Sequence, residues 1–374
     1  MTNYRQSSDF ATKSEASNVL YGYYIRKPIL SKMMKTAFLG TTNASSSQIN
    51  VFIDLNDIAV SVMKANAGID PNYGITCAVI NMIAHYKSFL ASYKVDVEFY
   101  LVYSGDEYGG IIARNRYPEY CNDLRISLFD PNQQGKYNWM KSNFMLASVI
   151  LQYIPHCHFI QSSEDSALTI YNQILRTLVP TNPVPNPNIV ITKDPICNQL
   201  CLITNTVIFR PKKSMPKAQG EMVADTSYVI NGKTAIENTL QNSQIATTTL
   251  CKLEALLPTQ WSLFFSLYGI KSRGIVNLYD LRRSIAITQE HPEPIVNIES
   301  VIPENDPEYQ YKQRYILNNY YSIDLPYKHK VYMQIPESQL ALPPTLFDNN
   351  GLKQLNDQYF NSKGLFIDLM TLLK

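Results

Sequence analysis

The sequence lacks the features that mark membrane-spanning and exported proteins. Its longest strongly apolar run, from Phe144 to Ile154, is about half the length that spans a bilayer. The opening segment MTNYRQSSDF has no basic stretch followed by an apolar one, so we expect no signal peptide. We therefore expect a protein without a membrane partner that acts inside a cell or inside a virion.

Several catalytic signatures are also missing. No GxxxxGK segment is present, so we expect no ATP hydrolysis at a phosphate-binding loop. The five histidines form no recognisable signature with a serine or cysteine nucleophile. The six cysteines include no CxxC pair, which argues against a disulfide scaffold in a chain of this length. The chemistry of the chain must be sought in other residue types.

The composition suits two domains, or one large domain with appendages. Apolar residues make up 45% of the 374 positions, enough for a substantial core. The formal net charge of +2 neither implies nor excludes a nucleic-acid partner. The charge is unevenly spread, since residues 209–217 carry only positive and residues 290–308 only negative charge. The 26 tyrosines and frequent Asn and Ile resemble the usage of an AT-rich genome, such as that of a phage.

Three regions follow one another along the chain. Residues 1–48, polar at both ends with a basic and apolar middle, are interpreted as an N-terminal arm that could dock on a protein partner. Residues 49–215 alternate strand-like and helix-like segments, which is typical of the α/β class with a mostly parallel central sheet flanked by helices. Residues 216–374 are expected to form a mainly helical C-terminal region with an acidic linker at 290–308 and a Tyr-rich segment at 309–333.

The hydrophobic period predicts the individual elements. Strands are expected at 49–54, 95–103, 156–160 and 188–192, with one or two more within 200–209. Helices are expected at 75–93, 137–153, 166–178, 247–257, 261–267, 278–287 and 351–373. Residues 104–125 are predicted to be a polar, basic loop.

Acidic residues follow each of the first four predicted strands. Asp54 ends the first, Asp106 follows the second, Glu164 and Asp165 follow the third, and Asp194 follows the fourth. The carboxyl ends of parallel strands meet at one edge of a sheet, so these side chains are expected to converge. A bound Mg²⁺ or Mn²⁺ would relieve their mutual repulsion, because hard cations prefer oxygen ligands. The competing interpretation is that each acid caps the helix that follows it.

Five segments in a fixed order carry a resemblance to a known family. They are VFIDLNDIA at 51–59, LVYSGDEY at 101–108, RNRYPEYCNDLR at 114–125, QSSEDSALTIY at 161–171 and VITKDPICNQL at 190–200. Together they resemble the motifs of the metal-dependent 5′ nucleases, the flap endonucleases and phage 5′-exonuclease/RNase H enzymes on a PIN-like fold. The segment YGIKSRGIVNLYDLRRSI at 268–285 lies where that family has a motif that grips duplex DNA.

The resemblance implies a PIN-like nuclease domain at 49–215 that acts on DNA or RNA–DNA with 5′ ends or flaps. It implies catalytic roles for Asp54, Asp106, Asp165 and Asp194. The same four residues and Glu164 would be the ligands of Mg²⁺ or Mn²⁺, with one ion or none bound. Contacts to nucleic acid are expected at Arg114, Arg116, Tyr117, Tyr120, Arg125, Lys271 and Arg273, and the basic cluster adds Lys212 and Lys213 by its charge alone.

The sequence also departs from the family pattern. The four-residue acidic motif is reduced to Ser163-Glu164-Asp165-Ser166, and Ile196 stands where the second acid of an Asp-x-Asp motif is expected. Cys121 replaces a basic residue, and no acid precedes the 269–274 hairpin. Phosphodiester hydrolysis by two metals needs cations about 4 Å apart, and only Asp194 remains for the second site. The metal site is thus expected to be partly lost.

Three functions remain open at this point. The chain could be a 5′ nuclease-like nucleic-acid-binding protein of phage origin with weak or no catalysis, located in the host cytoplasm or in a virion. It could be an active Mg²⁺-dependent 5′–3′ exonuclease or flap endonuclease of DNA replication. It could instead be a structural or assembly protein of a virion or polymerase complex. The tyrosines of 309–333 could stack on single-stranded bases or pack against the body of the protein.

Overall fold

The computed structural model describes Tyr23 and residues 48–64, 74–91, 95–105, 109–122, 130–152, 154–178, 186–203, 206–209, 256, 258–291, 295 and 297–334. The predicted helix at 351–373 and nearly all of the one at 247–257 lie outside these residues. So does the predicted N-terminal arm, apart from Tyr23 and Gln48. None of the described helices is long and apolar enough to cross a bilayer.

A sheet of five strands, all parallel, forms the centre of the described structure. The strands are β1 (Gln48–Asp54), β2 (Asp96–Tyr103), β3 (Cys157–Gln161), β4 (Asn188–Ile191) and β5 (Thr206–Phe209), in the order β3-β2-β1-β4-β5. Runs such as VFI in β1 and NIVI in β4 are buried throughout, as strands covered by helices on both faces require. The predicted α/β class with a parallel sheet is confirmed.

Helices cover both faces of this sheet. α1 (Leu55–Lys64), α2 (Gly74–Leu90) and α4 (Gln134–Leu151) pack on the face that carries Val51 and Leu101. The opposite face, with Phe52 and Val190, is covered by α3 (Ile111–Arg116) and α5 (Ser166–Thr177). Because side chains alternate along each strand, the two faces form two separate apolar clusters.

The described part of the C-terminal region is helical, as predicted. It contains α6 (Trp261–Tyr268), α7 (Leu281–Glu290), α8 (Tyr309–Ile323) and α9 (Leu325–Tyr332). The aromatic rings of α6, including Trp261, Phe264 and Phe265, join the same cluster as Phe52 of β1. This packing brings the C-terminal helices against the sheet, close to the ends of its strands.

The segment 200–209 contains a strand as predicted, whereas the segment 104–125 differs from its prediction. The strand is β5 (Thr206–Phe209), and the residues Pro195–Leu202 before it form a 3₁₀ helix. The Asp194 carboxylate accepts the N–H of Ile196, and Pro195 occupies the first helical position, so the chain turns at that point. The segment predicted as a loop at 104–125 contains the short helix α3.

Candidate functional site

The carboxyl ends of β1 and β4 lie side by side at the centre of the sheet. Ile53 of β1 pairs with Ile191 of β4, which places Asp54 beside Thr192. The order of the strands reverses between β1 and β4, and in open α/β sheets ligands bind at such a crevice. This edge, with Asp54, Glu164, Asp165 and Asp194, is called the carboxylate edge below.

Asp54 is buried and held by neutral donors. Its Oδ1 accepts the N–H groups of Asn56 at 3.0 Å and Asp57 at 3.2 Å, and its Oδ2 accepts the hydroxyl of Thr192 at 2.8 Å. The Thr192 oxygen in turn accepts the N–H of Asp194 at 3.0 Å, so one threonine links the two acids. Burial, and then the charges of Asp57 and Asp194, raise the pKa of Asp54 to about 7.

Asp57 is a fifth acid at this edge, three residues after Asp54. It accepts the hydroxyl of Tyr23 at 2.8 Å and the N–H of Lys193 at 2.7 Å, and the Lys193 ammonium lies 4.6 Å from the centre of the Tyr23 ring. Burial raises the pKa of Asp57 even though the Lys193 charge opposes that shift. Asp57 therefore extends the acidic cluster but is tied to Tyr23, a residue of the predicted arm.

Glu164 lies at the start of α3, where its carboxylate accepts the N–H of Ile112 at 3.3 Å. Burial raises its pKa to about 7, with Lys328 acting against the shift and Asp165 acting with it. Gly110 allows this approach, because it has φ +78° and a Cβ there would lie 2.6 Å from Glu164 Oε2. The tight turn before α3 thus fixes the position of the Glu164 carboxylate.

Asp165 forms a buried ion pair with Lys328 of α9. Its Oδ1 accepts the N–H of Leu168 at 2.8 Å and caps α5, while its Oδ2 contacts the Lys328 ammonium. The Lys328 side chain is fully buried. Its ammonium lies 6.0 Å from the centre of the Tyr120 ring. The positive charge that Asp165 needs is therefore supplied by the chain itself.

Asp194 forms a second ion pair, with Arg273 of the 269–275 hairpin. Its Oδ1 accepts the N–H of Ile196 at 3.1 Å and caps the 3₁₀ helix, while its Oδ2 contacts the Arg273 guanidinium. Another nitrogen of that guanidinium lies 3.4 Å from Cys121 Sγ, and the carbonyl of Arg273 accepts the N–H of Cys121 at 2.8 Å. Arg273 thus brings a positive charge to Cys121, the position where the sequence lacks an expected basic residue.

The positions with missing acids are filled by packing residues. Ile196 is buried in the apolar cluster on the α5 face of the sheet. The helix α6, before the hairpin, carries hydroxyls instead, and the Ser262 hydroxyl lies 2.8 Å from Gln199 Oε1 and 2.6 Å from Asp324 Oδ1. Neither Ile196 nor Ser262 supplies a carboxylate to the carboxylate edge.

The described residues do not fit a divalent cation. Asp165 and Asp194 each give one oxygen to a helix cap and the other to a basic side chain, whose positive charge disfavours a cation beside it. Within the described ranges, no group of three or more His, Cys, Asp or Glu side chains is placed to hold a metal ion. Asp106 lies outside those ranges. The predicted roles of Asp54, Asp106, Glu164, Asp165 and Asp194 as metal ligands therefore stay predictions.

The residues predicted to contact nucleic acid do not share one environment. Arg116 and Lys271 are exposed, and Arg114 donates to the Gly110 carbonyl at 3.1 Å. Tyr117 is buried, and the fully buried ring of Tyr120 is closed off from a base. Arg273 is engaged with Asp194, as described above. Arg125, Lys212 and Lys213 lie outside the described residues, and their roles stay predictions.

The sequence analysis missed the role of Lys328 and the charge pairing of Arg273. Lys328 lies in LPYKHKVY, where the neighbouring basic residue, Lys330, is exposed. No local pattern distinguishes the buried lysine from the exposed one. Its position depends on how α9 packs against α5, about 160 residues earlier in the chain.

Comparison with solved structures supports the fold. A structure of T5 5′-exonuclease with bound divalent zinc ions matches with 10% identity and a TM-score of 0.50, over 84% of this chain and 99% of that chain. A crystal structure of T5 D15 protein co-crystallised with metal ions matches with 11% identity and a TM-score of 0.49, over 74% of this chain and 90% of that chain. No protein-family model and no curated protein matches the chain. The chain has the fold of a 5′ nuclease.

Proposed function

We propose that this chain is a 5′ nuclease-like nucleic-acid-binding protein, of phage origin, whose metal site is partly lost and whose catalysis is weak or absent. The fold supports the first part of the proposal, since the T5 5′-exonuclease shares it. The residue usage supports the second, because the many tyrosines suit an AT-rich genome. The third part rests on the carboxylate edge.

The observation that carries the loss of the metal site is the pairing of Asp165 with Lys328 and of Asp194 with Arg273. The side chains of both acids and of Lys328 are at most 3% exposed, and that of Arg273 is 14% exposed. Removing one member of a buried pair leaves an unpaired buried charge, at a cost of about 3–5 kcal/mol. A divalent cation bound to both acids would have to displace Lys328 from Asp165 and Arg273 from Asp194, and each displaced side chain would become an unpaired buried charge.

The test is a cleavage and binding assay on the full chain. A 5′-labelled flap substrate is incubated with Mg²⁺ or Mn²⁺, with Asp54→Ala and Asp194→Ala run beside the wild type. We expect salt-sensitive binding of the substrate without cleavage, since contacts to phosphate release counterions. Efficient metal-dependent cleavage that both substitutions abolish would overturn the proposal.

Metal binding can be measured without any substrate. A ligand that binds only the folded state raises the melting temperature as its concentration exceeds the dissociation constant. We expect millimolar Mg²⁺ or Mn²⁺ to leave the melting temperature of the wild type unchanged. An increase that Asp54→Ala removes would indicate an intact metal site.

The second candidate is an active divalent-metal-dependent 5′–3′ exonuclease or flap endonuclease. Asp54 favours it, because this acid is held by Thr192 and backbone N–H groups rather than by a basic side chain. Asp106, if brought to the same edge, would give it a partner. A role in virion or polymerase assembly through the arm at 1–48 stays a hypothesis that rests on the sequence alone.

A further inference from the structure

The outer face of α8 carries a row of tyrosines with an arginine between them. Tyr311 is 49% exposed, and its ring centre lies 4.7 Å from that of Tyr315 at an interplanar angle of 50°. The exposed Arg314 places its guanidinium 5.9 Å from the centre of the Tyr315 ring. The opposite face of α8, with Ile316 and Asn319, is buried. Tyr311 projects from the core, whereas Tyr315 and Tyr321 are half-buried and pack with one side against the cluster that contains Ile316.

The row continues onto the end of α3. The exposed Arg116 places its guanidinium 5.0 Å from the centre of the Tyr321 ring. The helices α3 and α8 pack against each other, and burial, followed by Glu119 and then by Tyr315 and Tyr311, raises the pKa of Tyr117. The surface is formed by Arg116, Tyr311, Arg314, Tyr315 and Tyr321, and it includes the last residue of α3, the helix whose first turn contacts Glu164. We call it the tyrosine–arginine face.

The two helices that form this face carry only basic charges within their bounds, and the exposed acids Glu119 and Glu308 lie just beyond their ends. Neither IIARNR of α3 nor YQYKQRYILNNYYSI of α8 contains an acidic residue. Lys312 does not contribute to the face, because it is buried and paired with Asp306 at 2.9 Å. Arg116 and Arg314 therefore flank the aromatic rings without a carboxylate on either helix. Such a surface complements a polyanion.

We propose that the tyrosine–arginine face binds single-stranded nucleic acid, with bases stacked on Tyr311 and Tyr315 and phosphates held by Arg314 and Arg116. This inference rests on the proposed nucleic-acid-binding function and names its ligand class. Tyrosine stacks on any base whose π-face is open, and arginine neutralises the backbone between bases. A duplex offers phosphates but keeps its base faces stacked inside, so exposed rings favour the single strand.

The experiment measures fluorescence anisotropy of the full chain with labelled oligo(dT) and with a duplex of equal length, both without divalent metal. We expect Tyr311→Ala and Arg314→Ala each to weaken oligo(dT) binding roughly 5- to 10-fold, in line with stacking energies per base. Tyr311→Phe should retain the wild-type affinity because it keeps the ring. Duplex binding should change by less than twofold in the tyrosine variants.

Arg282→Ala is the matched control. Arg282 is an exposed arginine on the helix α7, so its removal changes the net charge by the same amount as Arg314→Ala. Equal losses in the two arginine variants, with none in Tyr311→Ala, would indicate unspecific attraction and overturn the inference. Unchanged oligo(dT) affinity together with self-association that Tyr311→Ala disperses would identify a protein interface and also overturn it.

The outcomes separate the inference from the proposed function. If the wild type binds flap or duplex substrates but Tyr311→Ala binds oligo(dT) as tightly as the wild type, the tyrosine–arginine face is not the binding site and the proposed function stands. If the wild type binds none of these nucleic acids, both are wrong. Melting temperatures close to that of the wild type in all variants would show that the affinities compare folded proteins.

Discussion

At the scale of single residues, two of the buried acids at the carboxylate edge, Asp165 and Asp194, are each paired with a basic side chain. Lys328 contributes its ammonium from a fully buried position, where an unpaired lysine would be strongly disfavoured. Arg273 can contact Asp194 and Cys121 together because its planar guanidinium offers several donors. Lys328 and Arg273 supply their acids with the positive charge that a metal ion supplies in a metal site.

The first prediction concerns the Lys328–Asp165 pair. Lys328→Met should lower the free energy of unfolding by about 3–5 kcal/mol, because it leaves the buried Asp165 carboxylate without a partner. The double variant Lys328→Met/Asp165→Asn should recover most of that loss, since Asn removes the charge and still caps α5. Denaturant unfolding of the three proteins gives the values. A double variant as unstable as the single one would contradict the pairing.

The second prediction concerns Asp306 and pH. Burial acts to raise its pKa, but hydrogen bonds from Tyr279, the Glu308 N–H and Lys312 lower the pKa to about 2. Because its pKa is lower in the folded than in the unfolded chain, Asp306 stabilises the protein above pH 4, and this contribution is lost as the pH falls towards 2. The melting temperatures of the wild type and Asp306→Asn should therefore differ at pH 7 and converge between pH 4 and pH 2.

The control for this prediction is Glu304→Gln. Glu304 is an exposed acid of the same acidic linker. Its substitution should leave the melting temperature close to that of the wild type at every pH. A constant difference between the wild type and Asp306→Asn from pH 7 to pH 2 would refute the role of the Asp306 carboxylate.

At the scale of elements, the 269–275 hairpin is fitted to the turn that follows α3. Ile270 and Ile275 form an antiparallel bridge, and between them Gly274 has φ +69°. A Cβ on Gly274 would lie 2.9 Å from the carbonyl oxygen of Glu119. The hairpin can therefore approach this turn only with glycine at position 274. That approach brings the Arg273 guanidinium into contact with the Asp194 carboxylate.

The third prediction follows from this contact. Gly274→Ala should lower the free energy of unfolding by about 1–3 kcal/mol, because alanine is strained at positive φ and would press on the Glu119 carbonyl. Ser272→Ala is the control, since Ser272 is exposed in the same hairpin. Thermal unfolding of both variants measures the difference. Equal stability of Gly274→Ala and Ser272→Ala would contradict the tight contact.

At the scale of the whole molecule, the C-terminal helices complete the core of the sheet. Trp261, Phe264 and Phe265 are buried in the cluster that contains Phe52 and Val190. The hairpin and α9 also supply the cations for two of the acids. The apolar face of the sheet and its buried carboxylates thus depend on residues beyond 256.

The fourth prediction concerns a chain truncated after residue 256. It should fail to give a cooperative thermal transition and should aggregate, because it exposes the apolar α5 face of the sheet and leaves Asp165 and Asp194 without Lys328 and Arg273. The full-length protein should unfold in one transition under the same conditions. Calorimetry and light scattering distinguish the two. A soluble fragment with its own sharp transition would show that the sheet folds independently.

The parallel sheet and the positions of its acids along the chain could be predicted from the sequence. Apolar runs such as VFI and NIVI are typical of strands covered on both faces, and local patterns place Asp54, Glu164, Asp165 and Asp194 at or soon after the ends of their strands. The hydrophobic period also predicted the helices α2, α4, α5, α6 and α7 to within a few residues. Strands, helices and the positions of residues at their ends depend on residues that are close together in the chain, so a single sequence is enough to predict them.

The partners of those acids could not be predicted from the sequence, because they come from distant parts of the chain. Lys328 is separated from Asp165 by 163 residues and Arg273 from Asp194 by 79, and no local pattern connects them. The same holds for the outer face of α8, because the period of the tyrosines does not tell which of them the core will cover. Charge pairing and exposure are properties of surfaces that meet on folding, so they follow from the packing of distant elements.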